Sequence, residues 1–265
     1  MKWGITCFFD DQQDFAKVAE LAPLFPIDYL EIRGERPFFS PEDITDSKME
    51  FFKGIIHQTG LRVTLHATFY DINLSTLNPH LREAVLKCYK KYLDLGSQIG
   101  AEILVVHGGH INRDIKHLPR LCQLARSYLV ENLRILGEEA ARRGLKIGLE
   151  NSPPNPHLLM VPDSRSQVEI LNEVSHSHVG AVWDMAHAYL HSLDLDDYYL
   201  GIKDYLLEIH AHNNYGVEDS HLAMNQGRID YAAFFKRQNI EVPVIMEIGD
   251  FAGALASLEW IKNLR

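Results

Sequence analysis

The sequence predicts an α/β protein whose eight parallel strands close into a (β/α)8 barrel, the TIM-barrel architecture. Eight short apolar segments alternate with longer segments of helical periodicity along the whole chain. The length of 265 residues is typical of eight such units. A doubly wound open sheet is less favoured, because no G-x-G-x-x-G or Walker motif follows the first predicted strand. No linker, charge run or short repeat divides the chain, so residues 1–265 are predicted to form one barrel domain.

The predicted strands are short and apolar, and they cover residues 3–9, 29–33, 61–66, 102–107, 146–150, 179–184, 206–212 and 242–248. Apolar residues recur with helical spacing in the predicted helices, which cover residues 15–24, 49–58, 81–99, 118–143, 166–174, 231–238 and 255–264. The sixth connection, residues 188–205, is rich in aspartate and lacks a clear helical period. Its helix is therefore the least supported by the sequence.

Several residues indicate helix ends through their backbone chemistry. Pro79 and Pro119 suit a first helical turn, where no amide hydrogen is needed. Ser47 and Glu50 fit a capping box, in which Ser47 accepts a backbone hydrogen bond and Glu50 bonds back. Glycines that follow helical segments and precede strands predict left-handed C-terminal caps at Gly60, Gly100 and Gly144.

The charge balance and the cysteine pattern restrict the class of partner and the compartment. Lys and Arg total 26 against 36 Asp and Glu, so the net charge of -10 argues against nucleic acid and anionic membranes as electrostatic partners. Residues 1–11 lack the pattern of a signal peptide, and no apolar run reaches the roughly 20 residues of a membrane span. Three cysteines without a pair motif, Cys7, Cys88 and Cys122, suit a reducing compartment. We therefore predict a cytoplasmic protein.

Potential metal ligands occupy the carboxyl ends of six consecutive predicted strands, the rim at which TIM barrels carry their active sites. In chain order they are His66, His107, Glu150, Asp184 with His187, His210 with His212, and Glu247, and the seventh loop adds Asp219 and His221. A single histidine or aspartate at a strand end is usually a hydrogen-bonded structural residue rather than a metal ligand. Six strand ends with such residues on one rim indicate a shared function. Carboxylates crowded on one rim repel each other unless cations neutralise them. The pattern therefore predicts a divalent metal site.

Short motifs around these residues resemble the xylose-isomerase-like TIM-barrel superfamily. The motifs are LHA at 65–67, VVHGG at 105–109, GLEN at 148–151, WDMAH at 183–187, HAHNN at 210–214, DSH at 219–221 and ME at 246–247. The resemblance extends over about residues 3–262, and the ordered series of ligands is its most specific part. Because the superfamily contains sugar and sugar-phosphate isomerases and epimerases together with endonuclease IV, the resemblance implies a metal-dependent enzyme.

The isomerase branch of the superfamily implies one divalent ion, Mn, Zn, Mg or Co. Its ligands would be four residues of strands five to eight, namely Glu150, Asp184, Glu247 and one of His210 and His212. His212 is favoured because it lies nearer the strand end, and His187 would contact the substrate. Glu150 and Glu247 would act as base and acid on a sugar or sugar phosphate, through an enediolate. Further substrate contacts are expected from Arg33, Asn151 and Arg228, with either arginine holding a phosphate.

The endonuclease IV branch implies two or three zinc ions and a multi-zinc phosphoester hydrolase instead. Its ligand set adds His66, His107, His187, Asp219 and His221 to the four of the isomerase branch. The zinc ions would generate hydroxide and neutralise the phosphoryl group. Acidic rim loops with few Lys or Arg disfavour DNA, so a small phosphoester is the favoured substrate of this alternative. A non-catalytic metal-binding barrel is the third interpretation, and assembly into a homo-oligomer is left open.

Overall fold

The computed structural model describes residues 1–7 and 12–264, and in that part of the chain parallel strands close a barrel. In chain order the strands are β1 (Lys2–Cys7), β2 (Tyr29–Arg33), β3 (Arg62–His66), β4 (Ala101–His107), β5 (His110–Ile111), β6 (Lys146–Glu150), β7 (Leu158–Leu159), β8 (Val179–Asp184), β9 (Leu206–Ala211) and β10 (Pro243–Met246). Around the barrel the order is β1, β2, β3, β4, β6, β8, β9 and β10. Pairing of Lys2 with Pro243 and of Ile5 with Met246 closes the ring. The predicted (β/α)8 barrel is confirmed.

The observed strands follow the predicted ones closely, and the differences lie at strand ends. The first predicted strand extends to residue 9, and residues 8 and 9 lie outside the described part of the chain. The seventh was predicted to reach residue 212, whereas β9 ends at Ala211. The sequence analysis missed β5 and β7, which form a separate antiparallel pair through His110 with Leu159 and Ile111 with Leu158. Two-residue strands carry too short a pattern to be recognised from alternation.

Helices connect the strands of the barrel. In chain order they are α1 (Gln12–Leu21), α2 (Asp46–Thr59), α3 (Pro79–Ile99), α4 (Pro119–Arg143), α5 (Ser164–Val174), α6 (Met185–Leu190), α7 (Leu195–Ile202), α8 (Tyr231–Arg237) and α9 (Phe251–Asn263). The sixth connection contains two short helices, α6 and α7, and a 3-10 turn at Lys203–Tyr205, which explains its weak helical period. Among the described residues, no helix has both the length and the apolarity needed to cross a membrane.

Backbone chemistry sets the helix ends largely as predicted. α3 and α4 begin at Pro79 and Pro119. Left-handed glycines end α2, α3 and α4, with φ of 67°, 72° and 75° at Gly60, Gly100 and Gly144. The predicted capping box is wrong, because Thr45 is the N-cap residue of α2 and its side chain accepts the amide hydrogen of Lys48. Ser47 therefore lies inside the first turn.

The barrel interior is divided between an apolar side and a polar side. Buried apolar side chains from β4 and β8 form a cluster of Ile103, Val105 and Val182. Three polar residues share one register level on β1, β2 and β3, and a further carboxylate lies on β9: Thr6, Glu31, Thr64 and Glu208. All four polar residues are buried. The interior is therefore polar where β1, β2, β3 and β9 face it.

Gly109 is expected not to tolerate a side chain, because the turn after β4 needs a left-handed residue. Its φ is 81°, and a Cβ there would meet the side-chain oxygen of Asn73, which accepts the amide hydrogens of Ser75 (2.9 Å) and His110 (3.2 Å). Gly109→Ala should lower the free energy of unfolding by about 1–3 kcal/mol.

The matched control for this substitution is Gly54→Ala. Gly54 lies on the exposed side of α2 with open space around it, so alanine should raise the free energy of unfolding by roughly 0.5–1 kcal/mol. Urea denaturation measures both changes. A Gly109→Ala midpoint equal to that of the wild type would contradict the account of this turn.

Candidate metal centre

A cavity of about 510 Å³ lies at the carboxyl ends of the barrel strands. Phe69, Asn73 and His110 form part of its wall. The wall also contains seven residues that the sequence predicted as ligands: His66, His107, Glu150, His187, Asp219, His221 and Glu247. This is the rim at which TIM barrels carry their sites, and the volume lies in the range of small-molecule sites. The structure therefore brings seven of the ten predicted ligands to one cavity, and Asp184, His210 and His212 are not among the residues that line it.

The parallel register of the strands sets the predicted ligands side by side. His107 is the partner of Glu150 across β4 and β6, and Asp184 is the partner of His210 across β8 and β9. Glu247 follows β10 directly, and its amide donates to the carbonyl of Ala211 at 3.1 Å. Because paired residues of a sheet point to the same face, the side chains of each pair meet. Strand register therefore places these ligands, whereas Asp219 and His221 come from the loop after β9.

Four buried residues form a compact set, the central group: Glu150, Asp184, His210 and Glu247. Each offers one potential ligand atom, and these atoms all lie within 4.8 Å of one another. Nδ1 of His210 lies 3.1 Å from Oε1 of Glu150 and 3.2 Å from Oε1 of Glu247. Carboxylate oxygens with one imidazole nitrogen are a suitable donor set for a divalent ion.

Two further sets of donors flank the central group. The His66 group consists of His66, His107 and Glu150, and Oε2 of Glu150 lies 3.2 Å and 2.7 Å from the two Nε2 atoms. The Asp219 group consists of His187, His212, Asp219 and His221. Glu150 therefore offers Oε2 to the His66 group and Oε1 to the central group.

The structure distinguishes the positions of His210 and His212. His210 lies within β9 and joins the central group. His212 lies beyond the end of β9, stacks on His221 with ring centroids 3.8 Å apart, and belongs to the Asp219 group. Nε2 of His212 lies 3.1 Å from Oδ2 of Asp184, at the boundary between the two groups. The geometry thus favours His210 at the place that the sequence analysis had assigned to His212.

Asp184 is oriented by the start of α6. It is the N-cap residue of that helix, and its Oδ1 accepts the amide hydrogen of His187 at 2.6 Å. Its backbone amide donates to Oδ1 of Asn151 (2.8 Å), and its carbonyl accepts from Nδ2 of Asn151 (2.9 Å). The expectation that Asn151 contacts the substrate is wrong. Its side chain is fully buried, and both the oxygen and the nitrogen of its amide group are hydrogen-bonded to the backbone of Asp184. Asn151 instead helps to position Asp184.

The two arginines expected to hold a phosphate do not line the cavity. Arg228 is exposed and borders a separate cavity beside Trp260, because its amide bonds back to the carbonyl of Asn214 and turns the loop away. The guanidinium of Arg33 lies 5.6 Å from the ring centre of Tyr70 and donates to its hydroxyl at 3.0 Å. Within residues 1–7 and 12–264, no lysine or arginine lines the cavity. The prediction that Arg228 holds a phosphate in this cavity is therefore wrong.

Burial and neighbouring charges displace the pKa values of the two central glutamates in opposite directions. Burial opposes ionisation of Glu150, but the imidazoles of His107 and His210 outweigh it and hold the pKa of Glu150 well below its usual range. Burial raises the pKa of Glu247 well above its ordinary value, and the carboxylate of Glu150 adds to this effect although His210 opposes it. Divergent pKa values of two nearby carboxyl groups are typical of an acid–base pair.

Buried donor atoms test whether a cation fits this centre. Within the described part of the chain, five side-chain atoms of the central and Asp219 groups are buried without a hydrogen-bond partner: Oδ2 of Asp184, Oε1 of Glu247, Nδ1 and Nε2 of His212, and Oδ1 of Asp219. Each buried polar atom without a partner costs about 1–3 kcal/mol. A divalent cation in the central group would satisfy the free oxygens of Asp184 and Glu247 and neutralise the clustered carboxylates, and imidazole with carboxylate suits zinc, manganese or cobalt. The residues therefore fit a metal ion.

Sequence reasoning missed two carboxylates inside the barrel, Glu31 and Glu208. Both are fully buried, and Glu208 shares a face of β9 with His210, two residues later. Burial raises the pKa of Glu208 to about 7, whereas His210 overcomes the effect of burial and lowers the pKa of Glu31 to about 2. A glutamate in the middle of an apolar strand, as in YLEIR and LLEIHA, is the signal that identifies them.

The closed barrel with clustered carboxylates and imidazoles at its carboxyl rim defines the class, a TIM-barrel protein with a candidate metal centre. The family described as xylose isomerase-like TIM barrel matches residues 16–264. The chain therefore belongs to that family, and the resemblance seen in the sequence is confirmed.

Comparison with known proteins extends the likeness in fold. An uncharacterised protein of Methanocaldococcus jannaschii is 27% identical over 177 residues, which cover 64% of this chain and 58% of that relative, less than two thirds of its length. A D-tagatose 3-epimerase-like protein matches with a TM-score of 0.87 and 21% identity, over 100% of this chain and 97% of the other. The 3-keto-D-glucoside 4-epimerase of E. coli matches with a TM-score of 0.76 and 21% identity, over 100% and 99%. At these identities the two structures establish a shared fold.

Proposed function

We propose that this protein is a divalent-metal-dependent sugar epimerase or isomerase, which acts at a carbon beside a carbonyl through an enediolate. The observation that carries the proposal is the pair of buried glutamates, Glu150 and Glu247, which line one cavity and lie 3.1 Å and 3.2 Å from Nδ1 of His210. Epimerisation needs one group that removes a proton from carbon and another that returns one. Membership of the family and the epimerase names of the two similar structures support the same reaction class.

The central group is proposed to hold one divalent ion, with Glu150, Asp184, His210 and Glu247 as its ligands. Such an ion would supply Lewis-acid polarisation of a carbonyl oxygen. His187 lines the cavity with Nδ1 2.8 Å from the carbonyl of Asn151 and Nε2 3.2 Å from Oδ2 of Asp219. These contacts fix the ring, and we assign it to binding a substrate hydroxyl.

Glu150 and Glu247 reach the cavity from separate parts of the rim, because β8 and β9 lie between their strands. Glu150 favours the ionised state and is the proposed base. Glu247 is the proposed acid, because its carboxyl group lines the same cavity from the end of β10. Removal of a proton from one face of the carbon and delivery to the other inverts the stereocentre. The different directions of approach therefore suit epimerisation.

The cavity wall favours an uncharged sugar over a sugar phosphate. No lysine or arginine lines the cavity in the described part of the chain. Ser152 and Asn155 instead offer neutral donors and acceptors suited to hydroxyl groups. Both similar structures are named for inversion of a sugar carbon, at position 3 or at position 4 of a 3-keto sugar. A free ketose is the proposed substrate class.

The proposal is tested with a panel of free ketoses and their phosphates, each incubated with Mn²⁺, Mg²⁺, Co²⁺ or Zn²⁺ and analysed by chromatography. We expect conversion of at least one free ketose and loss of that conversion after chelation. Arg228→Ala is the matched control, because Arg228 is exposed away from the cavity and its loss should leave turnover unchanged. Conversion of phosphorylated sugars alone, or conversion that survives complete chelation, would contradict the proposal.

The two flanking donor groups favour a second candidate function, hydrolysis of a small phosphoester by several zinc ions. Together with the central group they form three adjacent donor sets, two of which share Glu150. Clustered zinc ions generate hydroxide and neutralise a phosphoryl group. Elemental analysis of the purified protein separates the candidates. One ion per chain supports the epimerase, whereas two or three zinc ions with cleavage of a phosphodiester support the hydrolase.

A further inference from the structure

Below the central group, the barrel interior holds a polar layer that the proposed reaction does not use. Thr6, Glu31 and Thr64 are register partners on β1, β2 and β3, and Glu208 faces them from β9. Each of these residues is at most 1% exposed. Burying carboxylates inside a barrel is costly unless they are paired. The register partner of Glu208 on β8 is the apolar Val182. The polar residues therefore need an explanation beyond packing.

His210 is the residue that connects this layer with the central group. Nδ1 of its imidazole faces upward to Glu150 and Glu247, at 3.1 Å and 3.2 Å. Nε2 faces the interior, where it lies 3.0 Å from Oε1 of Glu208 in hydrogen-bonding geometry and 3.2 Å from Oε2 of Glu31. The two ring nitrogens therefore face two different sets of carboxylates.

A metal ligand must present a nitrogen lone pair, and the other nitrogen of a neutral imidazole then carries the hydrogen. We propose that Glu208 is a positioning residue that accepts this hydrogen from Nε2 of His210 and so keeps Nδ1 directed at the metal ion. The inference rests on the proposed function, because it takes His210 to be a metal ligand. A carboxylate that receives the N–H of a ligating histidine fixes the tautomer and the orientation of the ring.

Glu31 also faces Nε2 of His210, with its Oε2 at 3.2 Å. Its Oε1 accepts from the hydroxyl of Thr6 at 2.6 Å, and its Oε2 accepts from the hydroxyl of Thr64 at 3.4 Å. These hydroxyl groups anchor the Glu31 carboxylate to β1 and β3. Glu208, by contrast, has one oxygen on Nε2 and the other, Oε2, without a hydrogen-bond partner among the described residues. The hydrogen bond to Nε2 of His210 is therefore the contact that we assign to the Glu208 carboxylate.

The first test compares two substitutions at position 208 by calorimetric titration of the metal-free protein with Mn²⁺. Glu208→Leu removes the acceptor, and we expect Mn²⁺ affinity to fall by about 10–100-fold. Glu208→Gln keeps an oxygen at the same place, and its affinity should stay within about threefold of the wild type. Glu102→Leu is the matched control, because Glu102 lies near the start of β4 and pairs with Arg62 rather than with His210. Equal Mn²⁺ affinity of Glu208→Leu and wild type would overturn the inference.

The second test needs no variant and decides the question if Glu208→Leu fails to fold. Long-range ¹H–¹⁵N spectra of the Zn²⁺-loaded wild type report the tautomer of each histidine. We expect His210 to carry its hydrogen on Nε2, with Nδ1 bound to zinc. A hydrogen on Nδ1 would overturn the inference while leaving metal binding intact. A wild-type protein that binds neither Mn²⁺ nor Zn²⁺ would instead refute the proposed function, so the two failures are distinguishable.

Discussion

Glu247→Gln is expected to lower the turnover number for the best ketose by about 10²–10⁴-fold. The amide keeps an oxygen beside Nδ1 of His210, where Oε1 of Glu247 lies at 3.2 Å, but it does not transfer a proton. Metal binding should therefore survive while proton transfer is lost. Steady-state kinetics on the metal-loaded variant, with the metal content measured on the same sample, test this result.

The control for this substitution is Glu259→Gln, at an exposed position of α9 far from the cavity. Its turnover and metal content should equal those of the wild type. If Glu247→Gln retained full turnover with its metal bound, Glu247 would have no role in proton transfer. Loss of turnover together with the metal would show that Glu247 acts as a ligand alone.

Glu150→Ala is expected to abolish tight metal binding and, with it, activity. Glu150 is the residue shared by the central group and the His66 group, and its two oxygens face His210 and His107 at 3.1 Å and 2.7 Å. Removing a residue that is only hydrogen-bonded to a metal ligand already lowers metal affinity by about 10–100-fold. Removing a carboxylate that binds the ion itself should lower the affinity by more than that. Titration with Mn²⁺ followed by calorimetry measures the change.

Glu102→Ala provides a matched control for Glu150→Ala. Glu102 lies near the start of β4, at the amino end of the barrel, where it pairs with Arg62. Removal of this carboxylate should leave Mn²⁺ affinity unchanged. An unchanged metal content of Glu150→Ala would disprove the assigned site, whichever of the two candidate functions is correct.

The barrel and the rim residues could be predicted because both depend on local sequence patterns. Short apolar strands and amphipathic helices alternate along the chain, and the strand ends carry His66, His107, Glu150 and Asp184 directly. Parallel register then places His107 beside Glu150 without any long loop. Strand ends are therefore the part of a site that periodicity locates best.

The remaining details depend on side-chain direction, which periodicity does not contain. His210 and His212 are two residues apart, so strand alternation predicts the same side-chain direction for both. Because β9 ends at Ala211, only His210 lies in the strand, and the two side chains join different donor groups. Asn151 lies beside a ligand in sequence, yet its amide is used by the backbone of Asp184. Arg228 is a planar phosphate donor by residue type, yet it borders a separate cavity beside Trp260. Long-range hydrogen bonds decide such cases.

Hydrogen exchange into the substrate tests the central claim most directly, because it reports proton transfer at carbon without depending on which product accumulates. The metal-loaded protein is incubated in heavy water with the free ketose that it converts, and the sugar is examined by NMR. The account predicts deuterium at the carbon beside the carbonyl in the inverted sugar, and no inverted sugar from Glu247→Gln that retains its metal, because Glu247 delivers the proton to the opposite face. Conversion of the sugar without deuterium at that carbon, or formation of the labelled inverted sugar by Glu247→Gln, would contradict it.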